Sequence, residues 1–219
     1  MQTQNAKEKP KTKKPYKPKA KKLNKEYVYA LEPLPEKTAN KAPWESETEV
    51  GMLLAALIKT SGFNSVLDLG TYTGKTTDAM LQALPENGTI ISVDIEDHRG
   101  ETFKEICGFD TRIKYVLGDS IETCKSLYGQ KFDLIFVDTV HEWSYALPEF
   151  KAIELLINKG GVLAYHDSIK FEGIERLVNY AKVFGYNAVT INTPAGNGLT
   201  LLQKWKRTIA EPVHAVQTL

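Results

Sequence analysis

The fold is decided by the stretch VLDLGTYTGKTTDAMLQAL at residues 66–84. Its first four residues form a mostly apolar run, which predicts a buried β-strand ending at Gly70. A helical pattern follows from Lys75 to Leu84, with Met80 and Leu81 on the same side. A strand that passes through a glycine-containing loop into a helix is the first part of a β-α-β unit. This stretch therefore predicts an α/β fold.

The same alternation of strand and helix patterns continues toward the C-terminus. Further strands are predicted at residues 89–93, 113–117, 132–137 and 162–165, with helices over about 98–107, from 120 to about 127, 145–157 and 169–184. Residues 132–137 are apolar almost throughout, as expected for a strand that is covered on both faces. The alternation predicts a doubly wound, mostly parallel sheet with right-handed crossovers.

Both ends of the domain depart from this alternation. Strands at 188–191 and 199–203 are joined by a short turn-forming segment, which predicts an antiparallel C-terminal hairpin and brings the sheet to seven strands. At the other end, Ser46 and Glu49 have the spacing of a capping box, with Ser46 as the N-cap of a helix over Val50 to Ile58.

Charge divides the chain into segments. Residues 1–25 contain ten Lys and one acidic residue, whereas the remaining chain carries 18 basic and 26 acidic side chains. The Lys-rich segment holds three Pro and little apolar bulk, which predicts a disordered tail. A linker is predicted at 26–45, a folded domain at 46–207 and a C-terminal extension at 208–219. The tail is interpreted either as an electrostatic arm for nucleic acid, anionic lipid or an acidic partner, or as a solvating segment without a ligand.

Several classes of protein are excluded by composition. No stretch approaches the roughly 18 apolar residues of a membrane-spanning helix, and no apolar leader follows the N-terminus. Two cysteines are too few for a disulfide scaffold and are typical of reduced thiols. A cytoplasmic location is therefore expected.

Polar residues recur at the predicted carboxyl ends of the strands, where open α/β sheets bind their ligands. They are Asp68, Gly70, Asp94, Asp119, Asp138 and the pair His166-Asp167. One acidic residue after a strand is commonly a loop or cap residue. Five strands that end in this way predict a ligand cleft.

The loop from Gly70 to Gly74 and the more distant Asp94 predict a nucleoside site. The two glycines allow close backbone approach, and Asp94 ends the next strand, where a carboxylate accepts hydrogen bonds from a ribose diol. A phosphate loop is a rival interpretation, because Gly74-Lys75-Thr76 matches G-K-T, but that motif needs four residues between its glycines and only three stand here. The dinucleotide motif G-x-G-x-x-G also fails.

These residues stand in a set of motifs that resembles a known family. The runs VLDLGTYTGKTT, ISVDIEDH, GDS, FDLIFVD and GGVLAYHDS are similar to class I S-adenosylmethionine-dependent methyltransferases, and most similar to small O-methyltransferases of the catechol and caffeoyl-CoA type. The resemblance covers about residues 46–204 and implies a Rossmann-like methyltransferase fold. It implies methyl transfer from S-adenosylmethionine to a hydroxyl of a small molecule. The alternative is a cofactor-binding protein that binds or modifies nucleic acid through its basic tail.

The resemblance also implies roles for single residues. The cofactor-binding residues would be Gly70, Thr71 and Gly74 facing the methionine moiety, Asp94 at the ribose, Asp119 and Ser120 beside the adenine, Asp138 next to the sulfonium and the acceptor, and Asp68 just before the glycine loop.

The catalytic end of the site departs from the family pattern. Metal-dependent members bind Mg²⁺ through the residue that matches Asp138 and through a later Asp-Asn pair. Here that pair is replaced by His166-Asp167-Ser168, so Asp138 and Asp167 remain as candidate ligands and metal dependence stays open. His141 stands where the catechol-type family has a Lys base, which predicts a general base; the alternative is a loop histidine bonded to backbone. The oligomeric state is open, and a homodimer is one option.

Overall fold

The computed structural model describes residues 46–204, which form thirteen helices and strands. In chain order they are α1 (Thr48–Ser61), β1 (Ser65–Leu69), α2 (Lys75–Ala83), β2 (Thr89–Asp94), α3 (Glu101–Phe109), β3 (Ile113–Leu117), α4 (Ser120–Ser126), β4 (Phe132–Val137), α5 (Trp143–Ile153), β5 (Ile157–His166), α6 (Glu172–Val183), β6 (Tyr186–Ile191) and β7 (Leu199–Lys204). The predicted tail, linker and C-terminal extension, and the predicted domain end at 207, lie outside the described residues.

The seven strands form one sheet in the order β3-β2-β1-β4-β5-β7-β6. Strands β1 to β5 are parallel to one another, and β7 lies antiparallel between β5 and β6. This topology confirms the predicted doubly wound sheet and its antiparallel hairpin. The chain leaves β1 toward one edge and returns to β4 on the other side, so the carboxyl ends of β1 and β4 flank the point where strand order reverses. Ligands bind at such a point in open α/β sheets.

Strands β1 and β4 occupy the centre of the core. Their side chains alternate between two apolar clusters, one on each face of the sheet: Leu67 and Ile135 belong to one cluster, and Val66, Leu134 and Phe136 to the other. All five are fully buried. Double-sided burial explains why these strands read as continuous apolar runs rather than alternating ones.

The predicted capping box at the start of α1 is wrong. The N-cap residue is Glu47, and no side chain caps the helix. Ser46 instead donates a hydrogen bond of 2.5 Å to Asp138 Oδ2, and the Glu47 carboxylate contacts His166 and Thr193. Long-range polar partners have replaced the local cap, and they connect the start of α1 to the ends of β4 and β5.

The predicted boundary between α5 and β5 is also wrong. The helix ends at Ile153 and the strand begins at Ile157, whereas the sequence pattern extends the helix to residue 157. The apolar Leu156 continues the helical spacing but is fully buried in the core beside the sheet. The pairing of β4 with β5 shifts register between Phe132 and Leu134, which accommodates the Gly160-Gly161 segment within the strand.

No helix in the described part of the chain is long and apolar enough to cross a membrane.

Candidate active site

A cleft of about 370 Å³ lies beyond the carboxyl ends of β1, β2, β4 and β5. The sheet topology brings together the polar residues that follow these strands, although they are far apart in sequence. The predicted site residues that line the cleft are Gly70, Asp94, Asp119, Ser120, Asp138, His141 and Asp167. Because one cleft holds both the predicted nucleoside residues and the predicted catalytic residues, it can bring a cofactor and a second reactant together.

Gly70 lies where β1 meets the end of β4. Its φ is +98°, and an added Cβ would lie 2.1 Å from the carbonyl oxygen of Asp138. Only glycine permits this backbone conformation together with so close an approach. The next turn directs the N–H of Tyr72 at Asp94 Oδ2, at 2.7 Å, and Asp94 Oδ1 accepts from the N–H of Glu96 at 3.1 Å. The carboxylate of Asp94 is therefore fixed at the cleft wall.

Three predicted cofactor residues do not line the cleft: Asp68, Thr71 and Gly74. Asp68 is fully buried and accepts hydrogen bonds from Thr77 Oγ1 at 2.5 Å and Ser92 Oγ at 2.7 Å. Burial raises the pKa of its carboxyl to about 7, although both hydroxyl donors oppose that shift. Thr71 also bonds Ser92, at 2.6 Å. The hydrogen bonds of Asp68 and Thr71 with Thr77 and Ser92 therefore stabilise the loop between β1 and α2 from the protein interior.

At one side of the cleft, a polar network surrounds the N-terminus of α4. Asp119 accepts from the Glu122 N–H at 2.9 Å and from the Tyr145 hydroxyl at 2.8 Å. Ser120 bonds Tyr145 at 2.9 Å and donates to the buried Glu149. The residues predicted beside an adenine are thus cross-linked to α5 through its side chains.

At the other side, Asp138, His141 and Asp167 converge. One potential ligand atom from each lies within 4.8 Å of the others. His141 Nε2 lies 3.1 Å from Asp167 Oδ2 and 3.7 Å from Asp138 Oδ1. The ring of His141 is stacked on Phe171, with centroids 4.3 Å apart. The two residues predicted as metal ligands and the predicted base therefore form one cluster.

His166 extends this cluster. Its Nδ1 atom lies 3.2 Å from Asp138 Oδ1 and 3.7 Å from Asp167 Oδ1. Its Nε2 atom lies 2.7 Å from Glu47 Oε2, and Glu47 Oε1 accepts from Thr193 Oγ1 at 2.7 Å. The ring of His166 is thereby locked between α1 and the acidic cluster.

Charge in the cluster is closely balanced. Burial lowers the pKa of both histidines, but the facing carboxylates outweigh burial and raise the pKa of His141 to about 9 and of His166 to about 10. Burial raises the pKa of Asp138, yet the two imidazoles that face it bring the pKa well below its usual range. The cluster thus stabilises positive charge among its carboxylates.

Comparison with known proteins places the fold. Residues 67–168 match the family model described as a methyltransferase domain. Caffeoyl-CoA O-methyltransferase 1 of Zea mays is 31% identical over 158 residues, which are 65% of this chain and 60% of the relative. Caffeoyl-CoA O-methyltransferase 2 of Petunia hybrida is 28% identical over 157 residues, 65% of this chain and 64% of the relative.

Solved structures share the same fold. The O-methyltransferase of Bacillus cereus, in complex with S-adenosylhomocysteine, superposes with a TM-score of 0.63 at 17% identity, over 74% of this chain and 84% of that chain. Residues 67–168 are thus similar to a methyltransferase domain, and the fold is that of solved O-methyltransferases. The S-adenosylhomocysteine-bound methyltransferase of Podospora anserina gives a TM-score of 0.62 at 19% identity, over 74% and 80% of the two chains. The chain spans only 60% to 64% of the length of the two plant relatives above.

Three residues of the site are not predicted from the sequence: Glu47, Glu149 and, in its contacts with Glu47 and Asp138, His166. Glu47 meets His166 across 119 positions, so no local pattern signals it. His166 did carry a signal, because it stands beside Asp167 in the strand-end pair. Glu149 lies within the apolar face of α5 and is fully buried, where sequence spacing gives no reason to expect a carboxyl.

Glu149 gives this protein a specific pH dependence of stability. Burial raises the pKa of Glu149 to about 7, although hydrogen bonds from Ser120 and Thr139 oppose the shift. Between the ordinary pKa of 4.5 and about 7 the folded state binds more protons than the unfolded state, so this residue's contribution falls as pH rises through that range. Glu149→Gln cannot titrate and should lack about 3 kcal/mol of that fall.

Denaturant unfolding of both proteins at pH 5 and pH 8 measures this difference. Asp68 titrates equally in both proteins, so the comparison isolates Glu149. An identical pH dependence in wild type and Glu149→Gln would show that Glu149 is already ionised at pH 5.

Proposed function

We propose that this protein transfers the methyl group of S-adenosylmethionine to a hydroxyl of a small molecule. The observation that carries the proposal is the single cleft that joins Asp94 to the cluster of Asp138, His141 and Asp167. Relatives named caffeoyl-CoA O-methyltransferase and cofactor-bound structural neighbours support it. The acceptor would enter beside Phe171, whose ring contributes an apolar wall.

The cofactor would lie along the glycine loop. The Asp94 carboxylate, fixed by two backbone N–H groups, is placed to accept hydrogen bonds from the ribose hydroxyls. Asp119 and Ser120 would flank the adenine, and Gly70 permits close approach of the methionine moiety. Asp68, Thr71 and Gly74 would act indirectly, because they shape the loop and do not line the cleft.

The transfer would be a direct displacement. The acceptor oxygen attacks the methyl carbon, the bond from carbon to sulfur breaks, and its electron pair returns to sulfur, which loses its positive charge. Because the donor is already activated, the protein mainly aligns the two reactants. The hydroxyl proton must leave as well, and the carboxylates of Asp138 and Asp167 line the part of the cleft where it would be released.

The family pattern implies a divalent cation, and the cluster fits one. His141 Nε2 and Asp167 Oδ1 are buried and have no hydrogen-bond partner among residues 46–204, as expected of atoms arranged around a cation. Asp138 and Asp167 would hold it, and a bound cation lowers the pKa of a hydroxyl that it contacts. The assignment of His141 as the base stays a prediction.

The predicted alternative, nucleic-acid binding through the Lys-rich tail, gains no support from residues 46–204 or from the relatives reported above. The cytoplasmic location and the homodimer also stay predictions.

Asp94→Ala should weaken binding of S-adenosylhomocysteine by about 1.5–3 kcal/mol, or roughly tenfold to hundredfold, because a charged hydrogen-bond acceptor is lost. Calorimetric titration measures this loss, with ATP as a ligand that should not compete. Asp97→Ala is the matched control, since Asp97 pairs with the neighbouring Arg99 and does not line the cleft. Equal affinity in wild type and Asp94→Ala would remove the ribose assignment.

A further inference from the structure

Asp138 and three neighbouring side chains present an unusual set of potential ligand atoms: three carboxylate oxygens and two imidazole nitrogens. Four of the distances between nitrogen and oxygen donors are 3.1, 3.2, 3.7 and 3.7 Å, between His141 or His166 and Asp138 or Asp167. In a tetrahedral site with metal-ligand bonds near 2.1 Å, neighbouring donors lie about 3.4 Å apart. Each of the two nitrogens therefore lies at about this spacing from Asp138 Oδ1 and from one oxygen of Asp167, and Asp138, His141 and Asp167 each offer a ligand atom within 4.8 Å of the others.

Hydrogen bonding leaves three of these atoms unsatisfied. His141 Nε2, His166 Nδ1 and Asp167 Oδ1 are buried and lack a hydrogen-bond partner within the described residues, although carboxylates and imidazoles face one another closely. Buried polar atoms without partners are costly, and they are rare unless a water or ion completes them. Three such atoms among the facing carboxylates and imidazoles indicate a bound ion.

The second nitrogen of His166 completes a further feature of metal sites. Histidine ligands usually donate their other ring N–H to a carboxylate, which fixes the tautomer and the ring orientation. Glu47 Oε2 lies 2.7 Å from His166 Nε2, and Glu47 is itself held by Thr193. Because Nε2 of His166 contacts Glu47, its Nδ1 atom remains as the potential metal ligand, and it faces Asp138 and Asp167.

The chemistry of the donors decides the class of ion. Mg²⁺ prefers oxygen ligands in an octahedral arrangement and seldom accepts imidazole, whereas first-row transition ions such as Zn²⁺, Co²⁺ and Mn²⁺ accept both. We infer that Asp138, His141, His166 and Asp167 form a mixed nitrogen and oxygen site for a transition-metal ion of the zinc class, with Glu47 as the residue that orients His166. The predicted Mg²⁺ does not fit this donor set.

This inference deepens the proposed function and rests on it for its catalytic meaning. His141 is then a ligand rather than the general base that its sequence position predicts. Metal binding itself needs neither cofactor nor acceptor, so it is measured without turnover.

The test uses the untagged full-length chain, freed of metal with a chelator and then titrated with Co²⁺ as a spectroscopic probe. We expect one Co²⁺ per chain, with visible absorption typical of a tetrahedral nitrogen and oxygen site, and displacement of Co²⁺ by Zn²⁺ but not by an equal concentration of Mg²⁺. Elemental analysis after dialysis against each ion separately counts the bound metal.

Variants assign the ligands. His141→Ala and His166→Ala should each lose the visible bands and at least about a hundredfold in Co²⁺ affinity, and Glu47→Gln should lose roughly 10–100-fold. The matched control is His98→Ala, because His98 pairs only with Glu96 among the carboxylates of the described residues and does not line the cleft. Binding of S-adenosylhomocysteine by each variant shows that the variant has folded.

Two results would overturn the inference. One is a wild-type chain that binds Mg²⁺ as tightly as Zn²⁺, a result that needs no variant and no folding control. The other is an unchanged Co²⁺ spectrum in folded His141→Ala and His166→Ala. A chain that binds Zn²⁺ but transfers no methyl group would instead contradict the proposed function and leave the metal site standing.

Discussion

Asp138→Asn is expected to lower kcat about a thousandfold or more, which corresponds to roughly 4 kcal/mol of lost transition-state stabilisation. Asp138 is the residue on which the acceptor end of the cleft converges: Ser46 donates to it, and both histidines face it. An amide of the same shape keeps the packing but removes the negative charge. Affinity for S-adenosylhomocysteine should change less than tenfold, because Asp94, Asp119 and the glycine loop stay intact.

The matched control for this substitution lies on the same strand. Asp133→Asn changes an aspartate near the opposite end of β4, where Asp133 accepts hydrogen bonds from Asn64, Ser65 and Asn158. It should cost stability without changing kcat more than about threefold. If Asp138→Asn retained kcat within tenfold of wild type, the cluster would have no part in the transfer. Steady-state kinetics on both variants decides between these outcomes.

Gly70→Ala is expected to destabilise the fold by about 3–5 kcal/mol, the second large effect. An alanine must adopt the left-handed φ of +98°, and its Cβ would meet the Asp138 carbonyl oxygen at 2.1 Å. The loop would have to separate from β4, so the cofactor side of the cleft should be lost together with stability. Urea unfolding gives the free energy, and calorimetry the loss of S-adenosylhomocysteine binding.

Gly62→Ala separates the two causes of that loss. Gly62 also has a positive φ, +66°, but an added Cβ meets nothing within 4 Å. Its cost should be only the left-handed strain of about 1–2 kcal/mol. Equal destabilisation by the two substitutions would show that the contact between Gly70 and β4 has no energetic weight.

Much of the cleft could be predicted from the sequence because of a geometric rule. Parallel strands place their carboxyl ends at one edge of the sheet, so residues that follow different strands must converge. Asp94, Asp119, Asp138 and Asp167 all follow predicted strands, and the structure brings all four to one cleft. Asp68 shows the limit of the rule: it is the penultimate residue of β1, and its side chain is enclosed by Thr77 and Ser92.

Local patterns failed where long-range contacts decide the outcome. Ser46 and Glu49 have capping-box spacing, yet Ser46 bonds Asp138, 92 positions away. The sequence pattern predicts the start of α6 at residue 169, but the helix begins at Glu172. The N–H groups of Ile169 and Lys170 instead donate hydrogen bonds to the carbonyl oxygen of Asn197. Contacts between distant segments produce no periodic pattern in the sequence. The true starts of α1 and α6 therefore could not be predicted from residue spacing.

Of the two histidines in the site, the sequence predicts a role for His141 but not for His166. His141 was singled out because it stands where related proteins have a base, but the sequence could not show that its Nε2 atom faces two carboxylates. The sequence shows that His166-Asp167 replaces the family's Asp-Asn pair. The role of His166, however, depends on its orientation by Glu47. That contact joins α1 to β5 and exists only in the folded chain.

The most direct test of the account is methyl transfer itself. The full-length chain is incubated with methyl-labelled S-adenosylmethionine, Zn²⁺ or Co²⁺, and a panel of small hydroxyl compounds that includes catechols, phenolic thioesters of coenzyme A and sugars, with amines and nucleic acid as comparison acceptors. Mass spectrometry locates the label. We expect a labelled methyl ether and an equal amount of S-adenosylhomocysteine, both abolished in Asp138→Asn. Label on amines or nucleic acid alone, or undiminished transfer in Asp138→Asn, would contradict the proposed function.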